Sequence, residues 1–354
     1  MEITHIETIP VTMRLRHPYT IAYETVSSCT NLFIRIETNA GIQGWGCAAP
    51  DPFVTGESPA GVQKSLIKVA ELIRGHDPLR YIHILEMLKS EFPKQSSMLC
   101  GVDMALYDLL GRVCRIPLWR LLGGYRSSIK TSITLGIMPV DEALRQAREY
   151  VDQGFKSLKI KGGLDPAVDV ERIIKIRECV GKEIELRVDL NQGYSAEQAI
   201  WFVEKSLPAN IELIEQPTLK GNLAQLGKVT DQVPIPVMAD ESMNSLRDVF
   251  RLAQGNLVDM VNIKLAKVGG ISEAMMINAV ARSANLEAMV GCLDEAALSI
   301  AAGVHFALAR SNVRYADLDG HLDLLDDPSL GAVCLVDGVL YPTNGVGLGF
   351  IPKL

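Results

Sequence analysis

SLKIKGGLDPAVDVERIIKIRECVGKEIELRVD, residues 157–189, reads as strand, helix, strand. In SLKIK (157–161) the period-two alternation puts Ser157, Lys159 and Lys161 on one face and Leu158 and Ile160 on the other. VDVERIIKIRECVG switches to helical spacing, and ELRVD (185–189) returns to strand. The same rhythm continues on both sides of this unit. β-rich runs stand at TSITLGI (131–137), IELIEQ (211–216), IPVMAD (235–240), DMVNIK (259–264), EAMVG (287–291) and VRYADLD (313–319), with helical patterns between them. Eight strands separated by seven helical segments predict parallel βαβ units closed into a (β/α) barrel of the TIM type.

The flanks behave differently. Residues 1–50 alternate in the strand manner, with ITHIETIPVTMRL as one strand and a hairpin, NLFIRIET and IQGWGCAA, around Asn39-Ala40-Gly41. SPAGVQKSLIKVAELIRG and SSMLCGVDMALYDLLGRVCR then read as amphipathic helices. After residue 320 short strands and turns return, and this tail is expected to fold back on the N-terminal part. LLGGYRS (121–127) reads as a helix end and linker into the barrel, and GVGLGF (345–350) has no following helix that would make it a phosphate loop.

A length of 354 residues suits two domains, or a barrel with an attachment. With 48% hydrophobic and 22% charged residues the chain can bury a large core. A net charge of −7 without a long basic run argues against nucleic acid as a partner. There is no uncharged apolar stretch of membrane-spanning length; AALSIAAGVHFALA, which carries a His, suits a buried helix. MEITHIETIP has acids where a signal peptide would have a basic start, and the seven scattered cysteines form no CxxC. The expectation is a cytoplasmic protein with buried free thiols. The six histidines show no ligand spacing, and His17 and His321 read as polar surface groups.

Three carboxylates, Asp189, Glu215 and Asp240, end three consecutive strands, 26 and 25 residues apart. Barrel active sites sit at the C-terminal ends of the strands, so the three converge. Singly, each is equally a helix cap or a solvated loop residue; together in a low-dielectric mouth they repel unless a hard cation joins them. All-oxygen ligands suit Mg²⁺, with Mn²⁺ as a substitute. Lys159 and Lys161 point into the barrel from the second strand, and Lys264 ends the sixth, across the barrel, with Asn262 on its face. A lysine base must be neutral to accept a proton, and a second cation beside it, such as Lys159, disfavours its charged form.

LKIKGG, RVDLNQGY, IEQP, MADES and NIKLAKVGG, together with GWG, MALYDLLGR and LLGG, resemble the enolase superfamily in its muconate-lactonizing-enzyme-like subgroup, over essentially the whole chain. The resemblance implies an α+β capping domain made of residues 1–125 plus 320–354 over a barrel of residues 126–319. It also implies abstraction of a proton α to a carboxylate, with Mg²⁺ stabilising an enediolate. With Lys161 and Lys264 on opposite faces, one lysine can remove the proton and the other return it, which inverts the stereocentre.

In ADLDGH, Asp317 and Asp319 share a face at the mouth and can hold an ammonium group. This is similar to the Asp-x-Asp motif of dipeptide epimerases, which implies a dipeptide substrate; cycloisomerases and o-succinylbenzoate synthases of the subgroup hold no amine. Ala-Glu epimerases carry a basic residue in the N-terminal loop where HPYTIAYETV has Glu24. Asp51 in APDPFVTG and Asp294 in GCLDEA fall where such enzymes line the same pocket, so the expected C-terminal residue is cationic, Lys or Arg. Cycloisomerisation, N-acylamino acid racemisation and a non-catalytic ligand-binding barrel are the alternatives. Self-association is an expectation from the resemblance alone.

Overall fold

The computed structural model describes residues 1–22 and 25–354. Strands β1 (Ile3–Thr20), β2 (Thr25–Thr38) and β3 (Gln43–Ala48) form an antiparallel sheet. Helices α1 (Pro59–Ile73), α2 (Tyr81–Glu91) and α3 (Ser96–Cys114) cover one face, and a short α4 (Leu118–Leu121) follows. Ile34 and Ile36 of β2 pack there with Leu66 and Val69 of α1, Leu88 of α2 and Val102 and Leu106 of α3. The glycines of GWG permit this contact. A Cβ on Gly46 would lie 2.0 Å from Gly101 O, and one on Gly44 2.2 Å from Ala105 O.

After β4 (Ile129–Lys130) the barrel begins. Its strands are β5 (Ile133–Leu135), β6 (Ser157–Lys161), β7 (Glu185–Asp189), β8 (Leu213–Glu215), β9 (Val237–Ala239), β10 (Met260–Lys264), β11 (Glu287–Gly291) and β12 (Val313–Asp317), paired in chain order and parallel throughout. Between them run α5 (Val140–Asp152), α6 (Pro166–Val180), α7 (Ala196–Ser206), α8 (Leu223–Gln232), α9 (Leu246–Gln254), the short α10 (Leu265–Val268) with α11 (Ile271–Ser283), and α12 (Ala297–Ala309). The ring closes through a parallel bridge between Thr131 and Ala316, where Ser132 N donates to Ala316 O at 3.1 Å.

Five barrel strands are shorter than the sequence predicts, β5, β8, β9, β10 and β12, and at two of them proline is the reason. Residues 211–216 yield only Leu213–Glu215, ended by Gln216 at φ 34° and Pro217; residues 235–240 yield only Val237–Ala239, preceded by Pro236. Proline has no N–H for the ladder. β1 runs on to Thr20, past the predicted Leu15, after a register shift between Arg14 and Tyr19. That extension carries the chain over the barrel, where Ile137 N donates to Thr20 O at 2.9 Å.

The tail strands β13 (Val333–Val336) and β14 (Val339–Pro342) pair with each other, and β14 pairs with β4. Beyond them Gly347 N donates to Ile116 O at 3.0 Å and Leu348 N to Asp108 Oδ1 at 2.7 Å. Helix α12 is buried along its whole length. Among the described residues no helix is long and apolar enough to cross a membrane. All seven cysteines are free, as expected, but Cys114 and Cys334 are exposed and only Cys47 and Cys100 are buried, because Cys114 ends α3 and Cys334 falls on the outward face of β13.

Asp103 of α3 ties the two regions. It is fully buried and accepts from Ile271 N at 2.6 Å and Ser272 N at 3.3 Å, at the start of α11. Burial pushes its carboxyl up to about 7, against the downward pull of Ser272 and the Ile271 amide. A carboxyl raised on folding contributes stability that is complete below its unfolded value and lost as pH rises through about 7. Asp103→Asn has no such proton. Its stability relative to wild type should therefore improve from about pH 5 to about pH 8, read from urea midpoints; a pH-independent difference would contradict this.

Candidate active site

The ladder lays out the site. Lys161, Asp189 and Glu215 are register partners across β6, β7 and β8; Lys264, Gly291 and Asp317 are partners across β10, β11 and β12. Partner residues of parallel strands share a face, so these side chains form one inward layer at the C-terminal end of the barrel. Asp240 joins it one residue past β9. Oxygens of Asp189, Glu215 and Asp240 lie within 4.8 Å of one another, and all three residues are buried.

Lysines surround this triad. Lys159 Nζ is 3.0 Å from Asp189 Oδ2, 2.8 Å from Glu215 Oε2 and 2.8 Å from Asp317 Oδ2. Lys161 Nζ donates to Asp189 Oδ2 at 2.8 Å and Asn191 Oδ1 at 3.1 Å. Across the barrel Lys264 Nζ lies 2.9 Å from Asp240 Oδ2. Lys267 pairs with the other oxygen of Asp240 and donates to its main-chain carbonyl at 2.6 Å. Asn262 Nδ2 donates to Glu215 Oε1 at 2.7 Å.

Burial opposes every one of these charges, and the neighbours decide the outcome. It pulls Lys159 down, but Asp189, Asp317 and Glu215 outweigh it and hold the ammonium well above its usual range. Lys264 is likewise raised, against burial and the opposing Lys159 charge, chiefly by Asp240. Burial raises Asp189, and Lys159 and Lys161 bring it below the usual carboxylate range. Glu215 goes the other way: burial and then Asp189 push it up to about 7. Glu241, beside Asp240, is pushed up to about 7 by burial and then by Asp240, and its Oε2 has no partner.

The turns after the strands hold the acids in place. Gln216 binds Thr218 O at 2.8 Å and Ser242 Oγ at 2.9 Å through Nε2, while its Oε1 accepts from Asp240 N and Ser242 N at 3.0 Å each. One amide thus fixes the ends of β8 and β9 to each other. Asn191, Gln192 and Gln216 all have positive φ, 39°, 68° and 34°, a strain concentrated where the chain leaves the acid-bearing strands. Gly163, at φ 104°, closes the turn after β6, and its N–H donates to Asp169 Oδ2 at 2.8 Å.

At the mouth, Asp317 Oδ1 accepts from Ser132 Oγ at 2.7 Å, so both its oxygens are engaged. Asp319 Oδ2 accepts from Thr134 N at 2.7 Å, and its Oδ1 accepts from the Cys292 thiol at 3.8 Å. Burial and then Asp317 raise Asp319 to about 6. Asp294 Oδ2 accepts from Tyr19 OH at 3.0 Å, and burial, with smaller contributions from Asp319 and Asp51, pushes it up to about 7. Asp51 binds its own turn, accepting from Phe53 N at 2.7 Å and Val54 N at 2.8 Å. A cavity of about 450 Å³ opens between Ala22, Phe53 and Val54 above and Asn191, Glu241 and Lys267 below.

The structure therefore brings Lys159, Lys161, Asp189, Glu215, Asp240, Lys264 and Asp317 into one network, with Asp319 and Asp294 beside it and Asp51 at the rim. Glu24 lies outside the described residues. His17 is exposed, 2.8 Å from Asp323. His321 is buried, contrary to expectation, because the tight turn at Gly320, where a Cβ would sit 2.0 Å from Leu293 O, carries it inward. Lys267, Glu241 and Gln216 escaped the sequence reading; the spacing of Lys267, three residues after Lys264 in KLAK, was the available signal.

Fold and site together define an enolase-like barrel with a sheet-and-helix cap over a carboxylate–lysine centre. Residues 3–123 match the mandelate racemase / muconate lactonizing enzyme N-terminal domain, and residues 142–353 match the enolase C-terminal domain-like family. The chain belongs to this mandelate racemase / muconate lactonizing enzyme family of the enolase superfamily. It is 38% identical to the L-Lys-D/L-Arg epimerase of Desulforapulum autotrophicum, over 99% of both chains. It is 37% identical to the L-Ala-D/L-Glu epimerase of Bacillus subtilis, over 99% of this chain and 97% of that one. Among solved structures, it superposes on the dipeptide epimerase from Enterococcus faecalis V583 complexed with Mg and L-Leu-L-Tyr, with TM-score 0.96, 36% identity and 99% of each chain covered. The dipeptide epimerase from Methylococcus capsulatus, complexed with Mg and L-Arg-D-Lys, gives TM-score 0.94 and 34% identity, also over 99% of each chain.

The turn after β6 yields one prediction. A Cβ on Gly163 would lie 2.2 Å from Leu190 O at a φ that side chains resist. Gly163→Ala should cost more than about 2 kcal/mol of stability by denaturant titration. A loss under about 0.5 kcal/mol would show that the turn relaxes.

Proposed function

We propose that this chain is an isomerase that inverts the α-carbon of the C-terminal residue of a dipeptide, by two-base 1,1-proton transfer through an enediolate. The observation that carries the reading is the single layer in which three buried carboxylates stand between lysines from opposite strands. The names of the similar epimerases support the reaction class.

Asp189, Glu215 and Asp240 would hold Mg²⁺, or Mn²⁺ as a substitute. The donor set fits a hard dication, being all oxygen, buried and closely grouped. Glu215 is pushed up to about 7 by burial and Asp189 even with the Lys159 ammonium 2.8 Å from its Oε2. When bound, the ion supplies positive charge to the substrate carboxylate as its α-proton leaves. Lys161 and Lys264 serve opposite faces of the α-carbon, one taking the proton and the other returning it. Lys159, gripped by three carboxylates, is the fixed cation and moves no proton. The substrate ammonium falls to the Asp317–Asp319 pair, chiefly to Oδ1 of Asp319.

The relatives' names divide between glutamate, hydrophobic and Lys/Arg substrates, so the side chain is read from this chain's own residues. Among the described residues the Asp294 carboxylate accepts from the Tyr19 hydroxyl, and Asp51 lies near it. A substrate carboxylate would be repelled there and an ammonium or guanidinium attracted. The reading is a C-terminal Lys or Arg.

Chelation should abolish turnover, and Asp189→Asn, Glu215→Gln and Asp240→Asn should each lower kcat/KM more than about a hundredfold, since several kcal/mol of charge stabilisation goes with the metal. Full activity in excess EDTA after verified metal removal would exclude the metal role. In D₂O, Lys161→Ala should lose α-proton exchange with one substrate epimer and Lys264→Ala with the other; exchange of both epimers at wild-type rates in both variants would overturn the two-base assignment. L-Ala-L-Lys and L-Ala-L-Arg should exceed L-Ala-L-Glu in kcat/KM by at least about tenfold, and Asp294→Asn should narrow that gap, because a hydrogen bond between charged groups contributes about 1.5–3 kcal/mol. Preference for the glutamate dipeptide removes the cationic reading, and faster turnover of N-succinyl-lysine than of any dipeptide removes the dipeptide.

A further inference from the structure

Asn31 lies on β2 of the capping sheet, and its side chain is buried. Its amide reaches into the barrel domain twice. Nδ2 donates to Asp294 O at 3.2 Å, and Oδ1 accepts from Ala296 N at 2.7 Å. The two bonds bracket the segment that carries Asp294 from β11 to α12. Within that segment the Glu295 carboxylate accepts from Leu293 N at 2.8 Å and from the Ser299 hydroxyl, but it leaves the first amides of α12 without a partner. The N-cap of α12 is Ala296, which has no side chain to cap with, and the first amides of a helix have no partner inside it.

The missing partners come from elsewhere in the chain. Ala297 N donates to Asp327 Oδ2 at 2.7 Å and Leu298 N to Ser329 Oγ at 2.9 Å, both in the tail, while Ala296 N is left to Asn31. Of these groups only Asn31 also binds the main chain of Asp294. Tyr19, on the strand paired with β2, donates to the Asp294 carboxylate at 3.0 Å. The capping sheet thus holds both the main chain and the carboxylate of one residue at the mouth. Two opposed bonds of this kind need a donor and an acceptor on one short, flat side chain, which asparagine supplies.

We infer that Asn31 is a positioning residue for side-chain selectivity: it fixes the main chain of Asp294, so that the carboxylate faces the side chain of the substrate's C-terminal residue. This rests on the reading that Asp294 meets that side chain. Asn31 itself is buried and does not line the cavity at the mouth.

The test is a double-mutant cycle of Asn31→Ala and Asp294→Asn, with kcat and KM measured for L-Ala-L-Lys and L-Ala-L-Leu. Each single change should reduce the Lys/Leu ratio of kcat/KM about tenfold, carried by KM for the lysine dipeptide, and the double variant should lose little more than Asp294→Asn alone. Asn31→Asp is the second variant. It keeps an acceptor for Ala296 N, hence the anchor of α12, and removes the donor to Asp294 O, so it should shift the ratio in a folded protein. Equal losses on both dipeptides, or single effects that multiply in the double variant, would overturn the proposal. If wild type does not favour the lysine dipeptide, the substrate reading has failed by itself. The cycle is then run on the two dipeptides that wild type discriminates best, where non-additivity upholds the positioning role and additivity removes it.

Discussion

A buried charge survives only beside its opposite, and this protein buries eight in one place. Asp189, Glu215, Asp240 and Asp317 face Lys159, Lys161, Lys264 and Lys267 at the top of the barrel. Stripping water from such groups is expensive, and removing one member of a buried pair typically costs about 3–5 kcal/mol because the other is left uncompensated. Six of these side chains stand on strands and depend on strand register, while Asp240 follows β9 and Lys267 comes from α10. The in-register ladders Lys161–Asp189–Glu215 and Lys264–Gly291–Asp317 provide that register, and Gln216 extends it to Asp240.

The same economy of polar groups explains how the cap stays on the barrel. The exposed amides at helix starts act as sockets, and buried carboxylates and amides from distant segments fill them. Asp103 of the cap fills the start of α11, and Asn31 with Asp327 and Ser329 fills the start of α12. Within the cap, Glu57 does the same for α3, accepting from Ser97 N at 2.7 Å and Met98 N at 3.2 Å. Directional bonds of this kind fix where the cap sits more tightly than apolar contact alone could.

Much of this arrangement was legible because strands have a two-residue period. Lys159-Ile160-Lys161 had to send its lysines one way, and the helix layer claimed the isoleucine. The barrel was visible in the alternation of strand and helix, and the acids in their recurrence at strand ends. What escaped lies just past the strands, where no period holds. Gln216 and Lys267 act through turns whose shape is set by neighbouring strands. His321 looked like a surface group because nothing local says that the turn at Gly320 folds inward. Asn31 reads as one more strand residue; its partners in the barrel, Asp294 and Ala296, lie more than 260 positions away. The prolines that shorten β8 and β9 were in view, but their effect on the ladder depends on which side of the strand faces a neighbour.

The barrel is least securely joined between β12 and β5. One bridge, Thr131 with Ala316, closes it, and side chains complete the seam: Ser132 with Asp317, Thr134 N with Asp319, and Leu318 N with Thr131 Oγ1 at 2.9 Å. From inside, Lys159 reaches past β5 to clasp Asp317. The two aspartates proposed to greet the substrate's amine are thus also the rivets of the hoop. A lineage in search of new substrates could not trade them away without loosening the cylinder. Asp294, which closes no seam, is freer to change, and so novelty in this scaffold has most room at the substrate's far end.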